Sequence, residues 1–288
     1  MIANSQALGV PDVVEPSHIV SGNTKVNTLF VSYIFNTKHG LEELTAEEYE
    51  AAGMIDDDIE GAKEERMFRM WVNSLGIDGV YVNNLVDECK DGVLLCKVLD
   101  KISPGCIPWK SVKDPPKTDF DRNINNNTAC TACKDLKLKL IGIGGTDLTK
   151  GTRKLVLAVV WQIVRLHYLK LIGDKSEDDI VKWANQLTAG KCEPIKNLKD
   201  KSMGNGVFLI NIAAGIEPRA VNWDIVTAGE TDEDKMMNAK YAISLARKLD
   251  AVIFCVWEDI VSVSPKQMLI IFSTMMDIHQ DRVNNLNK

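Results

Sequence analysis

The sequence has no run of 18 or more apolar residues; its best candidate, Leu155 to Val164, is interrupted at Gln162 and stopped by Arg165 and His167. No segment is therefore expected to cross a membrane as a helix. The opening stretch, MIANSQALGVPDVVEP, lacks the basic start and apolar run of a secretory signal. The 7 cysteines show no framework spacing, which favours reduced thiols in the cytosol. Histidine is scarce, with 4 residues in all: His18, His39, His167 and His279 are scattered, with no nucleophile or metal partner at a motif spacing. Neither a catalytic constellation nor a metal centre is expected. Alternating hairpin strands are scarce too, which sets the expected fold class as all-α.

Several short patterns fail by one position. IGIGGTD has Gly142, Gly144 and Gly145, but Asp147 stands where a dinucleotide fingerprint needs its third glycine. Counted from Gly145, the second glycine of a phosphate loop falls on Lys150, so the segment reads as a turn introducing a helix. A calcium loop on Asp56, Asp58, Glu60 and Gly61 would end on Met67 instead of a bidentate Glu. Cys130 and Cys133 form a lone CxxC, and a zinc site needs four ligands. No cofactor is expected, and the protein is not expected to be an enzyme.

What is present is ordinary globular material: 288 residues, 45% hydrophobic and 26% charged, enough for two compact domains. The net charge of −6 hides a segregation. Residues 1–61 carry 2 basic and 11 acidic side chains, 62–173 carry 18 and 12, and 174–288 carry 14 and 17. Within residues 131–170, Lys134, Lys137, Lys139, Lys150, Arg153, Lys154, Arg165 and Lys170 stand against Asp135 and Asp147 only. A basic face on an acidic chain suits an acidic partner. Nucleic acid is not expected, because aromatic interleaving and the known nucleic-acid motifs are absent.

The chain also repeats itself. Trp71 to Leu75 (WVNSL) returns as Trp183 to Leu187 (WANQL), and GVLLCKV from Gly92 returns as GVFLINI from Gly206. Pro104, Trp109 and Val112 match Pro218, Trp223 and Val226; Asp147, Leu148, Lys154 and Leu157 match Asp259, Ile260, Lys266 and Leu269. Conserved order at a nearly constant offset means a duplicated domain. A partial third copy lies upstream, where Ile19, Gly22, Lys25, Val26, Phe30 and Ile34 precede Leu148, Gly151, Lys154, Leu155, Val159 and Ile163 by a constant interval. Residues 17–36 thus read as the final helix of a preceding domain, exposing Val26, Phe30, Ile34 and Phe35 if undocked, and the chain as a piece of a longer one.

Phe68, Trp71, Val72 and Leu75 form one stripe of an amphipathic helix, with Lys63, Arg66, Met70 and Asn73 facing away. Ile180, Trp183, Ala184 and Leu187 repeat it, with Lys182 and Asn185 opposite. The run Lys154 to Leu171 is of helix length and apolar nearly all round at first, which puts it in the middle of a domain and Trp161 in the core. Trp71, Trp109, Trp183 and Trp223 read as packing residues.

EERMFRMWVNSLG, DGVLLCKVLDKISPGCIPW and GIGGTDLTKGTRKLVLAVVWQIV, in that order, closely resemble a calponin-homology domain, and the second copy resembles another. With the upstream IVSGNTKVNTLFVSYIFNTKHGL, the chain resembles the second actin-binding module of the fimbrin (plastin) family. Met67 departs from the pattern, since that helix usually has a small or β-branched residue before its aromatic. The implied organisation is a terminal-helix remnant over 1–37, an acidic linker over 38–61, and calponin-homology domains over 62–171 and 174–285. The resemblance implies binding to the side of filamentous actin, in the cytoplasm, with the upstream half of the same protein carrying a second module. It also implies contact through the first helix of the first domain, that domain's last helix with its preceding loop, and the first helix of the second. Those elements supply Lys63, Arg66, Met70, Lys137, Lys139, Lys150, Arg153, Lys154, Arg165 and Lys182 as candidates. The alternative is a scaffold for another protein or for microtubules. A short link over Ile172 to Ser176 should let the domains pack together and hide part of this surface.

Overall fold

The computed structural model describes residues 14–37 and 58–286, and among them every regular element is helical. The chain divides into two compact units, Met1–Glu50 and Ala51–Lys288.

In the first unit the expected single helix is two, α1 (Pro16–Val20) and α2 (Thr24–Thr37). They part at Gly22, whose φ of 68° is in the left-handed region that glycine adopts without steric cost. Phe30 is buried, and Val26 and Ile34 pack against it with Val14; among the described side chains, which do not include that of Phe35, the large apolar ones left outside are Val20, Leu29 and Val31. The expectation that Phe30 lies exposed is therefore corrected: the short α1 folds back and its Ile19 joins the cluster.

The second unit holds both repeats. The first comprises α3 (Asp58–Ser74), α4 (Leu85–Cys89), α5 (Val93–Ile102), α6 (Asp119–Asp135), α7 (Gly145–Lys150) and α8 (Arg153–Leu171). The second comprises α9 (Glu177–Leu187), α10 (Val207–Ile216), α11 (Asp232–Lys248), α12 (Trp257–Val261) and α13 (Pro265–Leu286). Helix α3 starts inside the expected acidic linker, so Asp58, Glu60 and Gly61 are helical; residues 38–57, Asp56 among them, lie outside the described residues. The GGTD stretch opens the short α7 instead of being a bare turn. Its backbone is started by Asp147, which accepts from Gly144 N at 3.0 Å, as Asp259 accepts from Val256 N at 2.9 Å ahead of α12. In the first unit, His18 Nδ1 accepts from Glu15 N at 3.2 Å at the matching place.

The duplication extends to buried polar devices. Trp71 Nε1 donates to His167 Nδ1 at 3.1 Å, and Trp183 Nε1 to His279 Nδ1 at 3.1 Å. Burial lowers both histidine pKa values and so favours the neutral ring that can accept. Two of the scattered histidines are thus matched structural acceptors. Asn73 clasps both backbone groups of Val82, and Asn185 those of Ile195, so Asn73 and Asn185 hold loops instead of facing away. Asn125, fully buried, accepts from Lys113 N and donates to Lys113 O and Asp91 O; Asn238 does the same with Thr227 and Asn205.

One swap between the repeats is reciprocal. The Lys90 stem lies over Gly151, where a Cβ would meet Lys90 Cε at 2.1 Å. In the second repeat the matched positions are Gly204 and Val263, and Val263 keeps the left-handed φ of 56°. The side chain has moved to the opposite partner, and glycine stands across from it each time.

Phe68 and Trp71 are buried beneath α8, as the stripe predicts. Trp109 and Trp223 are corrected: they are 40% and 48% exposed, and Trp109 Nε1 donates to Asp100 at 3.1 Å. Helix α8 is apolar nearly all round because one side packs in its own repeat, on α3, and the other meets α13 of the second repeat. Trp161 on it is 2% exposed, stacked with Phe68.

Candidate functional site

The turn after α6 brings Lys137 into a left-handed conformation, φ 63°, with its N–H donating to Lys134 O at 2.9 Å and Leu138 N to Cys133 O at 2.9 Å. Such closure satisfies carbonyls at a helix end and normally favours glycine. The chain continues through exposed Lys139 to the corner between α7 and α8, where Lys150 and Lys154 are exposed as well. Lys137, Lys150 and Lys154 make no ion pair among the described residues.

The other candidates are distributed differently. Arg153 is held to Glu65 of α3 at 3.0 Å, so part of its charge is spent within the repeat. Arg165 lies on a different side of α8 and reaches Glu177 at 2.8 Å, stapling α8 to the start of α9 across the short link. Lys182 stands out on α9, its side chain 74% exposed, with Asp179 at 3.9 Å.

Lys63, Arg66 and Met70 lie along a cleft where α3 meets the second repeat, whose other wall includes Phe254, Val256 and Asp259. Lys63 does not face open solvent: it pairs with Asp259 of α12. Its neighbour Glu64 pairs with Lys266 of α13, and the Lys266 ammonium also sits 5.6 Å from the centre of the Trp161 ring. These adjacent residues of opposite sign form a latch between the repeats. Arg66 and Met70 remain exposed at the rim. Asp259, Glu64 and Lys266 were missed by sequence reasoning, although Lys266 already matched Lys154 in the repeat. The same repeat position that faces outward in the first domain turns inward in the second.

The remaining duplicated positions carry no comparable charge. Lys137 corresponds to Asp250, Lys139 to Val252 and Lys150 to Ser262, so only the first repeat presents a basic corner. Elsewhere the chemistry is quiet. Among the described residues the cysteines are all free, and burial pushes the Cys133 and Cys96 thiols up to about 12. Thiols held protonated in this way are poor nucleophiles. Glu217 is lowered to about 2 by its hydrogen bonds to Arg219. It also meets Arg282, tying the end of α10 to α13.

A duplicated helical repeat with this helix order defines a class. The calponin homology (CH) domain model matches residues 62–168 and 174–281, and the chain belongs to that family. Its similarity is more particular: it is 38% identical over 288 residues to Fimbrin-5 of Arabidopsis thaliana and 33% identical over 297 residues to Plastin-3 of Homo sapiens. Those alignments cover 96% and 98% of this chain but 42% and 46% of the relatives, so the chain spans less than half their length. The crystal structure of the actin-crosslinking core of Schizosaccharomyces pombe fimbrin matches with a TM-score of 0.69 at 35% identity, covering 96% of this chain and 57% of that one.

Proposed function

We propose that this chain is an actin-filament-binding module of a fimbrin-type bundling protein, working in the cytoplasm on the actin cytoskeleton. The observation that carries the reading is the basic corner of the first repeat: Lys137, Lys150 and Lys154 are exposed and unpaired among the described residues, while the same corner of the second repeat is not basic. An acidic filament supplies the matching charge. Lys139, Arg66 and Met70 extend the contact, Lys182 lies at its margin, and Lys63 joins only when the latch with Asp259 opens. Arg153 and Arg165 serve first to hold helices together.

The domain reading accompanies this function: residues 62–171 and 174–285 are the paired domains, 38–61 the connecting segment, and 1–37 the end of a preceding domain. Supporting the last point, the turn between α1 and α2 and that between α7 and α8 share a left-handed glycine, with φ of 68° and 70°. The upstream half of the full-length protein would then supply the second filament contact that bundling requires.

Cosedimentation with actin filaments tests the reading. Binding is expected at low ionic strength and to weaken steadily with added salt, because the screening length is about 10 Å at 0.1 M. Failure to pellet with filaments at low salt, with pelleting on microtubules instead, would favour the scaffold alternative.

A further inference from the structure

The three copies of the repeat's last helix differ at one informative position. Lys25, Lys154 and Lys266 share a place, and Val26, Leu155 and Gln267 share the next. Two copies put an apolar residue there; the third puts an amide, in α13, which packs against α8 of the other repeat. Gln267 is 6% exposed and lines the cleft beside Lys63, Met67 and Met70 of α3. Its Oε1 is buried with no hydrogen-bond partner, and so is Nε1 of Trp161, the ring that Lys266 covers.

The contact between the repeats therefore contains opposing elements. The pairs Lys63 with Asp259 and Lys266 with Glu64 favour closure. A polar atom taken out of water without a partner opposes it, by a factor of about 5 to 150 in an equilibrium constant. When the repeats part, the amide regains water and that penalty disappears.

We propose that Gln267 is a counterweight to the latch: its unpaired amide oxygen destabilises the closed arrangement and keeps an open, binding-competent fraction of the pair populated. The leucine at the matched position of the first repeat shows that the helix itself tolerates an apolar side chain there. The link to filament binding rests on the function proposed above; the effect on closure does not. Apparent affinity scales with the competent fraction, so removing the counterweight weakens binding without touching a filament contact.

The test uses Gln267→Met, close in shape, and Gln267→Leu, the residue of the first repeat, in the whole chain. Amide hydrogen exchange over residues 62–70 reads closure with no actin present, and filament cosedimentation reads competence. Slower exchange together with weaker binding, by up to the same factor of about 5 to 150 as the competent fraction falls, is the expected result. Exchange that is unchanged or faster in both apolar variants, with native helical content, overturns the proposal. Slower exchange with unchanged filament binding would leave the counterweight standing and sink the reading that closure covers filament-binding surface.

Discussion

Lys266→Glu is expected to separate the two repeats and to strengthen filament binding. Lys266 and Glu64 have side chains only 14% and 17% exposed, so the pair is largely withdrawn from water. Reversing one charge puts two carboxylates together and replaces a cation over the Trp161 face with an anion, which the ring repels. Removing one partner of a buried pair costs about 3–5 kcal/mol. The cost falls on the contact between the repeats, because Lys266 meets residues of the first repeat. Calorimetry should show the domains melting earlier or as two transitions. Cosedimentation should show tighter binding as Lys63 and the cleft side of α3 are uncovered, by a factor set by the closed fraction in the unmodified chain. Glu64→Lys combined with Lys266→Glu re-forms the ion pair but not the cation over Trp161, so it should restore both in part. An unchanged melt and unchanged binding in the single variant would show that the latch does not control the pair.

A second large effect on stability is expected at Gly92 and Gly206. Both begin a core helix with φ of 73° and 77°. A Cβ on Gly92 would lie 2.6 Å from Asn126 N, and one on Gly206 would lie 2.9 Å from Ala239 N. These obstacles are backbone of α6 and α11, so no flexible side chain can move aside. Left-handed conformation costs about 1–2 kcal/mol and overpacking about 1–3 kcal/mol more, against a typical domain stability of about 5–15 kcal/mol. Gly206→Ala should lower the urea midpoint severely. Gly105→Ala, with φ of 83° but open space around it, should lower it only by the conformational part. Equal losses in both variants would mean that the close approach to α11 is not what requires glycine.

Much of this architecture was legible in the sequence because the duplication acts as its own control. The stripe through Phe68 and Trp71 gave the buried face of α3, and the all-round apolar run after Lys154 gave a helix in the middle of a domain, but not that its second side meets α13 of the other repeat. The reason for the paired glycines was not legible, since nothing local says that Asn125 and Asn126 press against Gly92. Trp109 and Trp223 misled for a related reason: a repeated tryptophan signals a shared role, and here that role is at the surface.

The basic corner was readable from charge, but its membership was not. Arg153 and Lys154 are neighbours in the chain, yet a turn of about 100° per residue sends one toward Glu65 and leaves the other outside. By helical periodicity Lys63 belongs to the exposed face of α3, and only the packing of the second repeat shows that Asp259 already holds it. Long-range pairing of this kind depends on how two domains dock, which no helical periodicity encodes.

The most direct measurement is cosedimentation of actin filaments with the chain carrying Lys137→Glu, Lys150→Glu and Lys154→Glu together, compared with the unmodified chain at several salt concentrations. All three side chains are exposed and take no part in the core, so the helical spectrum and the melting temperature should be retained. The account predicts loss of filament binding and of its salt dependence. Binding that persists at full strength in a correctly folded triple variant would contradict it, and would move the filament contact away from the basic corner of the first repeat.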